Sequence, residues 1–348
     1  MYMNSLYISL KNLYKRKNII INYISKKKKE SIFIKIIIIV FININILLFL
    51  YKTLICYEKI NLGYKKSKFA ILRRINCLIC GLFSDYIIYL GCIHKFMQLG
   101  YVPIIDLPTF KDPFTIHQLN KSFDNLWEKY FYQPYNYTLN DVKQKGKNIF
   151  FFKCEPDFYP NESVFYNSTL RYFWHSIANK YIPLKNEIMV ESNNIFKKLF
   201  KDSNNILGIL MRGTDYIVLK LPFHPIPPKP KLVIKDIKLL YRKNKYEWFF
   251  LATEDDRIRE IFIKQFGEKL KYFIYNKKIN YNYKSKNVLS DNKNIKGNIN
   301  FIKIYLLNII ILSKCMDIIC AQTSGSLGAF IMNNNYRFSK VYNLGYYK

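Results

Sequence analysis

Polar residues that can bind an anionic ligand follow two apolar runs in the second half of the chain. Arg212 comes at the end of the run 206–211, and Asp255 comes shortly after the run 248–252. Continuous apolar runs of this length are typical of buried parallel strands, and an open α/β sheet binds its ligand beyond the carboxyl ends of its strands. A guanidinium pairs with phosphate, and a carboxylate accepts hydrogen bonds from a nucleobase. The sequence therefore predicts a site for a ligand that carries both groups.

Two further residues near Arg212 could take part in chemistry. Asp215 is predicted to orient Arg212 or to act as a base, and a purely structural ion pair between the two is the alternative. His224 precedes a proline and titrates near neutral pH, so it could act as a base or contact a hydroxyl group. The alternative for His224 is an ordinary hydrogen-bonding role in a loop.

A polar turn near the end of the chain is a third candidate. Thr323, Ser324, Gly325 and Ser326 precede a helix predicted to begin near Leu327. The free N–H groups of a helix N-terminus, together with hydroxyl groups, form a binding site for an anion. An ordinary N-cap followed by a glycine turn explains the same residues without a ligand.

Four short motifs occur in a definite order in this part of the chain. They are Arg-x-x-Asp at 212–215, His-Pro-Ile at 224–226, Leu-Ala-Thr-Glu-Asp at 251–255 and Thr-Ser-Gly-Ser at 323–326. In this order they resemble the superfamily of GDP-fucose-dependent fucosyltransferases, which includes α1,6-, nodulation and protein O-fucosyltransferases and bacterial glycosyltransferase-like relatives. The resemblance covers residues 68–348.

The resemblance implies a fold, a reaction and a set of ligands. The implied fold is α/β and GT-B-like, with two Rossmann-like halves, a cleft between them, and the turn at 81–85 facing that cleft. The implied reaction is an inverting transfer of fucose from GDP-fucose to a glycan hydroxyl, for example in capsule or lipopolysaccharide. No metal ion or other cofactor is expected, and the sequence contains no metal-binding Asp-x-Asp motif at this site.

The same resemblance assigns roles to individual residues. Arg212 matches the family arginine that contacts the β-phosphate, and the turn at 323–326 matches the turn at the donor phosphates. Asp255 matches the residue that accepts hydrogen bonds from N1 and N2 of guanine. The expected partners are therefore a nucleotide-sugar donor and a glycan acceptor.

Two positions depart from the family pattern. Leu210 stands where the α1,6-type enzymes have a histidine that contacts the base, and Lys220 stands where they have an acidic residue proposed as the catalytic base. These departures leave the catalytic base unassigned. They also keep a second hypothesis open, in which the chain is an inactive relative that binds a sugar nucleotide or a glycan.

Apolar periodicity predicts alternating strands and helices along residues 68–348. In the first half it predicts a strand over 71–79, a helix over 85–99 between Ser84 as N-cap and Gly100, a strand over 101–107, and helices over 170–179 and 184–200. In the second half it predicts strands over 206–211, 247–252, 270–275 and 316–321, and helices over 232–243, 256–265, 301–314 and 327–333. We expect an N-terminal acceptor-side domain at 68–205 and a C-terminal donor-binding domain at 206–348.

The composition favours a folded protein with a basic surface. Half of the 348 residues are hydrophobic, and 55 Lys and Arg against 24 Asp and Glu give a formal net charge of +31. A third hypothesis is therefore a protein that binds nucleic acid or an anionic membrane surface. The lysines are spread along the chain, however, and no nucleic-acid-binding motif accompanies them. We therefore expect a solvated basic surface and no nucleic-acid partner.

Residues 1–67 and the cysteines bear on localisation. A basic block at 26–29 precedes an apolar run at 32–51, which is long enough to span a bilayer. A membrane anchor and an extension without function fit this run equally well. The seven cysteines have no regular spacing and are expected to be reduced, with Cys77 and Cys80 as small buried residues rather than zinc ligands. The prediction is a cytoplasmic protein, with membrane association through 32–51 left open.

Overall fold

The computed structural model describes a large part of the compact unit Lys66–Lys348, namely residues 68–74, 81–107, 125–145, 148–201, 203–213, 216–217, 220, 222–274 and 299–348. Three sequence predictions lie outside these residues: the role of Asp215, the state of Cys77 and Cys80, and the membrane anchor at 32–51. Within the described ranges, no helix is both long and apolar enough to cross a membrane.

The first half contains a parallel sheet of three described strands. They are β1 (Lys68–Arg73), β2 (Tyr101–Ile105) and β3 (Ile149–Lys153), in the order β2-β1-β3. Helix α1 (Leu82–Gln98) connects β1 to β2, and Gly100 follows it with a φ of +79°. Glycine adopts this left-handed conformation without strain, which explains why the helix ends where the sequence predicted.

Helix α2 (Leu139–Lys145) lies between β2 and β3 in the chain, and three helices after β3 lead to the second half. They are α3 (Ser163–Tyr166), α4 (Ser168–Tyr181) and α5 (Asn186–Phe200). The side chain of Asn167 caps α4 by accepting a hydrogen bond from the N–H of Leu170 at 3.0 Å. This cap satisfies one of the donors that a helix N-terminus leaves unpaired.

The second half contains a parallel sheet of five described strands. They are β4 (Ile206–Leu210), β5 (Trp248–Ala252), β6 (Leu270–Lys271), β7 (Asp317–Ala321) and β8 (Phe338–Tyr342), in the order β6-β5-β4-β7-β8. Between them lie α6 (Pro230–Asn244), α7 (Asp256–Phe266), α8 (Ile299–Ser313) and α9 (Ser324–Met332). If these five strands are numbered 1 to 5 along the chain, their order in the sheet is 3-2-1-4-5. β5 and β6 are added on one side of β4, and β7 and β8 are added on the other, so the direction of winding reverses between β4 and β7. A doubly wound sheet binds its ligand at such a reversal.

Helices cover both faces of this second sheet. Leu207 and Ile209 of β4 pack in one core cluster with residues of α6 and α7. Gly208 lies on the opposite face of β4, which packs against α8. A Cβ atom on Gly208 would lie 3.0 Å from Leu312 in α8 and 3.2 Å from Cys315, which follows this helix. The layered arrangement confirms the predicted α/β class and the presence of two parallel sheets.

Three predicted boundaries are wrong. Strand β1 runs from Lys68 to Arg73 rather than beginning at 71, and Arg74 lies outside it, while positions 75–79 of the predicted strand lie outside the described residues. Helix α1 already begins at Leu82, so the predicted cap Ser84 lies inside it and accepts a hydrogen bond from Arg74 at 3.2 Å. Helix α9 begins three residues earlier than predicted, because Thr323 is its cap.

The prediction that all cysteines are reduced is also wrong. Cys92 in α1 and Cys154 after β3 form a disulfide, while Cys315 and Cys320 are buried and free. Next to this disulfide, a Cβ atom on Gly91 would lie only 2.6 Å from the carbonyl oxygen of Phe158. The disulfide and the small glycine together hold the segment after β3 against α1.

The Asp85 carboxyl makes stability depend on pH. Burial raises its pKa to about 6, although the hydrogen bond from Arg74 acts in the opposite direction. The native state therefore keeps a proton that the unfolded chain releases near pH 4, and stability falls as pH rises between about 4 and 6. We expect a loss of about 3 kcal/mol over this range, to be measured by urea unfolding. Asp85→Asn should flatten the dependence, and an unchanged dependence in the variant would contradict this assignment.

Candidate functional site

Arg212 lies two residues after the end of β4, at the carboxyl edge of the second sheet. Its guanidinium carbon is 5.1 Å from the ring centre of Tyr216 and 5.5 Å from that of Tyr305 in α8. Its Nε lies 3.6 Å from Oε1 of Glu254, which follows β5, and only 16% of the side chain is exposed. Two aromatic rings and a carboxylate therefore hold the cation at the point where the sheet reverses.

Glu254 also fixes the backbone beside Arg212. The N–H of Gly213 donates a hydrogen bond to Oε1 of Glu254 at 2.9 Å. A Cβ atom on Gly213 would lie 2.4 Å from the Cβ of Asp255, so only glycine fits here. The ends of β4 and β5 therefore approach closely. Sequence reasoning missed Glu254, although its position next to Asp255 in the strand-end motif was a usable signal.

Asp255 is completely buried in the structure. One carboxylate oxygen accepts hydrogen bonds from the backbone N–H and the Nε of Arg257, both at 3.0 Å. The other oxygen accepts a hydrogen bond from Nη2 of Arg257 at 2.6 Å, and about half of the Arg257 side chain is exposed. Asp255 is thus the N-cap of α7 and forms an ion pair with Arg257. Its assignment to guanine stays a prediction.

The turn at 323–326 is folded by its own hydroxyl groups. The hydroxyls of Thr323 and Ser326 lie 2.9 Å apart, and Thr323 also accepts the N–H of Ser326. The hydroxyl of Ser326 donates a hydrogen bond to the carbonyl of Ala321 at 2.6 Å. These two hydroxyls therefore build the cap of α9, and Ser324 and Gly325 form the first residues of the helix.

Tyr305 brings this turn next to Arg212. Its ring lies beside the Arg212 guanidinium, and a Cβ atom on Gly325 would lie 2.3 Å from its hydroxyl oxygen. The first turn of α9 and the arginine are therefore separated by one aromatic ring. Nothing in the sequence singled out Tyr305, because it lies in a long apolar helix far from both motifs.

His224 lies on the far side of Tyr216. The two rings meet edge to face with 5.4 Å between centres, and Nδ1 of His224 donates a hydrogen bond to the carbonyl of Pro222 at 3.3 Å. The carbonyl of His224 accepts the N–H of Tyr347 at 3.0 Å, so the end of the chain pairs with this loop. The structure thus connects His224 to Arg212 through the ring of Tyr216.

The first half of the chain also reaches the site. Phe83, in the first turn of α1, packs edge to face on Tyr305 with 5.6 Å between ring centres. A Cβ atom on Gly328 in α9 would lie 2.1 Å from the ring of Phe83. The predicted turn at 81–85 therefore faces the residues that hold Arg212. Among the residues that the structure describes, no group of three or more His, Cys, Asp or Glu could hold a metal ion.

Comparisons with known proteins give structural neighbours only. No family model and no curated protein matches the chain. A crystal structure of NodZ α-1,6-fucosyltransferase soaked with GDP-fucose matches at a TM-score of 0.46 and 15% identity, covering 77% of this chain and 93% of that one. NodZ from Bradyrhizobium matches at a TM-score of 0.43 and 15% identity, covering 76% and 92%. POFUT1 in complex with GDP matches at a TM-score of 0.47 and 7% identity, covering 79% and 99%.

Proposed function

We propose that the chain is a glycosyltransferase that moves fucose from GDP-fucose to a glycan hydroxyl, with inversion and without a metal ion. One observation carries this proposal: Arg212 and the first turn of α9 share Tyr305 at the point where the 3-2-1-4-5 sheet reverses. A cation beside a helix N-terminus at this point suits a diphosphate. The ordered motifs at 212–215, 224–226, 251–255 and 323–326 support fucose and guanine as the rest of the donor.

The site suits the charge that develops during transfer. As the bond between the sugar and the β-phosphate breaks, negative charge builds on the departing diphosphate. Arg212 would stabilise this charge with two parallel hydrogen bonds, and the N–H groups at the start of α9 would add to it. In this proposal the protein itself supplies the positive charge that a metal ion provides in other transferases.

The pairing of Asp255 with Arg257 supports the assignment of Asp255 to guanine. Nε and Nη2 of Arg257 present two adjacent donors to the two carboxylate oxygens. Guanine N1 and N2 present a similar pair of donors. Because Arg257 is half exposed, guanine could take its place without opening the core. Asp255 would then read the base, as the resemblance implies.

A thermal-shift experiment tests the donor. The full chain is melted with GDP, GDP-fucose, UDP, ADP or CMP, and we expect only GDP and GDP-fucose to raise the melting temperature. A ligand that binds only the native state stabilises it by about 2.7 kcal/mol at 100 times its Kd. Asp255→Ala should abolish the preference for guanine. Arg242→Ala, which removes an exposed arginine in the last turn of α6, is the control and should leave the shift unchanged.

The outcomes separate the proposal from its main alternative. No shift with any of the five ligands would contradict a nucleotide-sugar donor. A shift with GDP but no release of GDP from GDP-fucose would favour the inactive relative, which the departures at Leu210 and Lys220 first suggested.

A further inference from the structure

We propose that Glu162 is the base that accepts the proton of the incoming hydroxyl group. This inference rests on the proposed fucosyl transfer, and it fills the role that Lys220 leaves open. Glu162 is exposed and stands immediately before α3, in the first half of the chain. Its Oε2 accepts a hydrogen bond from the hydroxyl of Tyr346 at 2.9 Å.

The contact with Tyr346 places Glu162 beside the His224 loop. Pro225 and Tyr346 form an antiparallel bridge, and the N–H groups of Phe223 and Ile226 bind the carbonyls of Tyr347 and Gly345. The ring of His224 in turn contacts Tyr216, which lies against Arg212. Glu162 therefore lies at the edge of the same group of loops that holds the proposed phosphate-binding arginine.

A second contact fixes the other end of this segment beside the α9 turn. The hydroxyl of Tyr166 accepts a hydrogen bond from Nε2 of Gln322 at 3.2 Å. Gln322 lies between β7 and Thr323, the cap of α9. The segment 162–166 therefore runs from the His224 loop to the turn proposed to bind phosphate. The rings of Tyr166 and Tyr346 are 64% and 45% exposed, and such rings pack well against the apolar faces of sugars.

Three other carboxylates near the site, among the residues that the structure describes, are engaged by cations or by the backbone. Glu254 binds Arg212 and the N–H of Gly213, and Asp255 is buried against Arg257. Asp85 is buried and bound to Arg74. Glu162 is instead exposed and bound by a neutral hydroxyl, so its carboxylate is open to a substrate that approaches from solvent.

In the proposed step, fucose passes from GDP to the acceptor oxygen. The acceptor oxygen forms a bond to C1 of fucose while the bond from C1 to the β-phosphate oxygen breaks. The proton of the acceptor hydroxyl passes to the carboxylate of Glu162, and the electron pair of the broken bond leaves with GDP. Tyr346 is a positioning residue in this step, because it holds one oxygen of Glu162.

The test uses water and azide as acceptors, since the natural glycan is unidentified. Release of GDP from GDP-fucose is measured for the full chain with water alone and with sodium azide. We expect Glu162→Ala to slow release into water by about 100-fold or more, because a general base contributes at least this factor. Azide needs no deprotonation, so it should restore GDP release in the variant. Tyr346→Phe keeps the carboxylate and should change the rate by only a few-fold.

Each outcome decides the role of Glu162. A wild-type rate in Glu162→Ala, or a slow rate that azide leaves unchanged, would overturn the inference. GDP binding is followed in parallel by thermal shift and should be the same in both proteins. If the wild-type chain binds GDP and releases it from GDP-fucose while the variant behaves identically, only the role of Glu162 fails. If the wild-type chain neither binds GDP nor releases it from GDP-fucose, the proposed transferase activity is wrong, and the proposed role of Glu162 fails with it.

Discussion

Arg212→Ala should slow the release of GDP from GDP-fucose by about 10³-fold, the size of effect seen when an arginine that stabilises a transferring phosphoryl group is lost. The loss should appear mainly in kcat, because the charge on the diphosphate is greatest in the transition state. The guanidinium is already held by Tyr216, Tyr305 and Glu254 before any ligand binds. Steady-state kinetics with GDP-fucose provide the measurement.

Two further variants show whether the guanidinium or merely a positive charge matters. Arg212→Lys keeps the charge but loses the planar fork and most of its packing between two rings, so we expect a loss nearly as large as with alanine. Tyr305→Phe keeps the ring beside Arg212 and removes only the hydroxyl next to Gly325, so its effect should be much smaller. Arg212→Ala with a rate within about tenfold of wild type would place the phosphate contact elsewhere.

The strands that position this site could be predicted, and two of the edge strands, β3 and β8, could not. β4, β5 and β7 are continuous apolar runs, and the structure places their ends within one residue of the prediction. β8 was missed because Ser339 and Lys340 interrupt its apolar residues. β3 was missed because its apolar run of four residues is short, and Phe150 and Phe151 in it are exposed.

Some residues of the candidate site could likewise be predicted from the sequence, and others could not. Arg212 and the α9 turn could be found because their residue types and positions at strand ends already indicate phosphate binding. Tyr305, Phe83 and Glu162 could not be found, because each gains its place from a contact with a distant part of the chain. The Cys92–Cys154 disulfide was hidden for the same reason, since irregular cysteine spacing does not reveal which pairs approach.

The opposite edge of the second sheet should control stability rather than chemistry. Asp317 begins β7 and is completely buried, and its carboxylate accepts hydrogen bonds from Arg337, from the N–H of Phe338 and from the hydroxyl of Tyr246. Burial, followed by the bond to Asp317, raises the pKa of the Tyr246 hydroxyl. This carboxylate therefore joins β7, the start of β8 and the segment that leads into β5 at the amino edge of the sheet.

Asp317→Ala should lower the free energy of unfolding by about 3–5 kcal/mol, because it leaves the buried hydroxyl of Tyr246 and the N–H of Phe338 without this acceptor and removes the partner of Arg337. Urea unfolding gives the value. Lys340→Ala is the control on β8. It removes an ion pair between Lys340 and Asp236, and the lysine side chain is more than one-third exposed. This variant should lower the free energy of unfolding by less than about 1 kcal/mol.

The affinity for GDP shows whether a residue at one edge of the sheet contributes to ligand binding or only to stability. At a temperature where Asp317→Ala is still folded, its Kd for GDP should equal that of the wild type, because Asp317 lies at the end of β7 opposite to the α9 turn. Arg212→Ala, compared at a temperature where it is still folded, should instead show impaired turnover. If Asp317→Ala lost GDP binding while folded, the ligand could not be confined to the carboxyl edge, and the site proposed around Arg212 would be wrong.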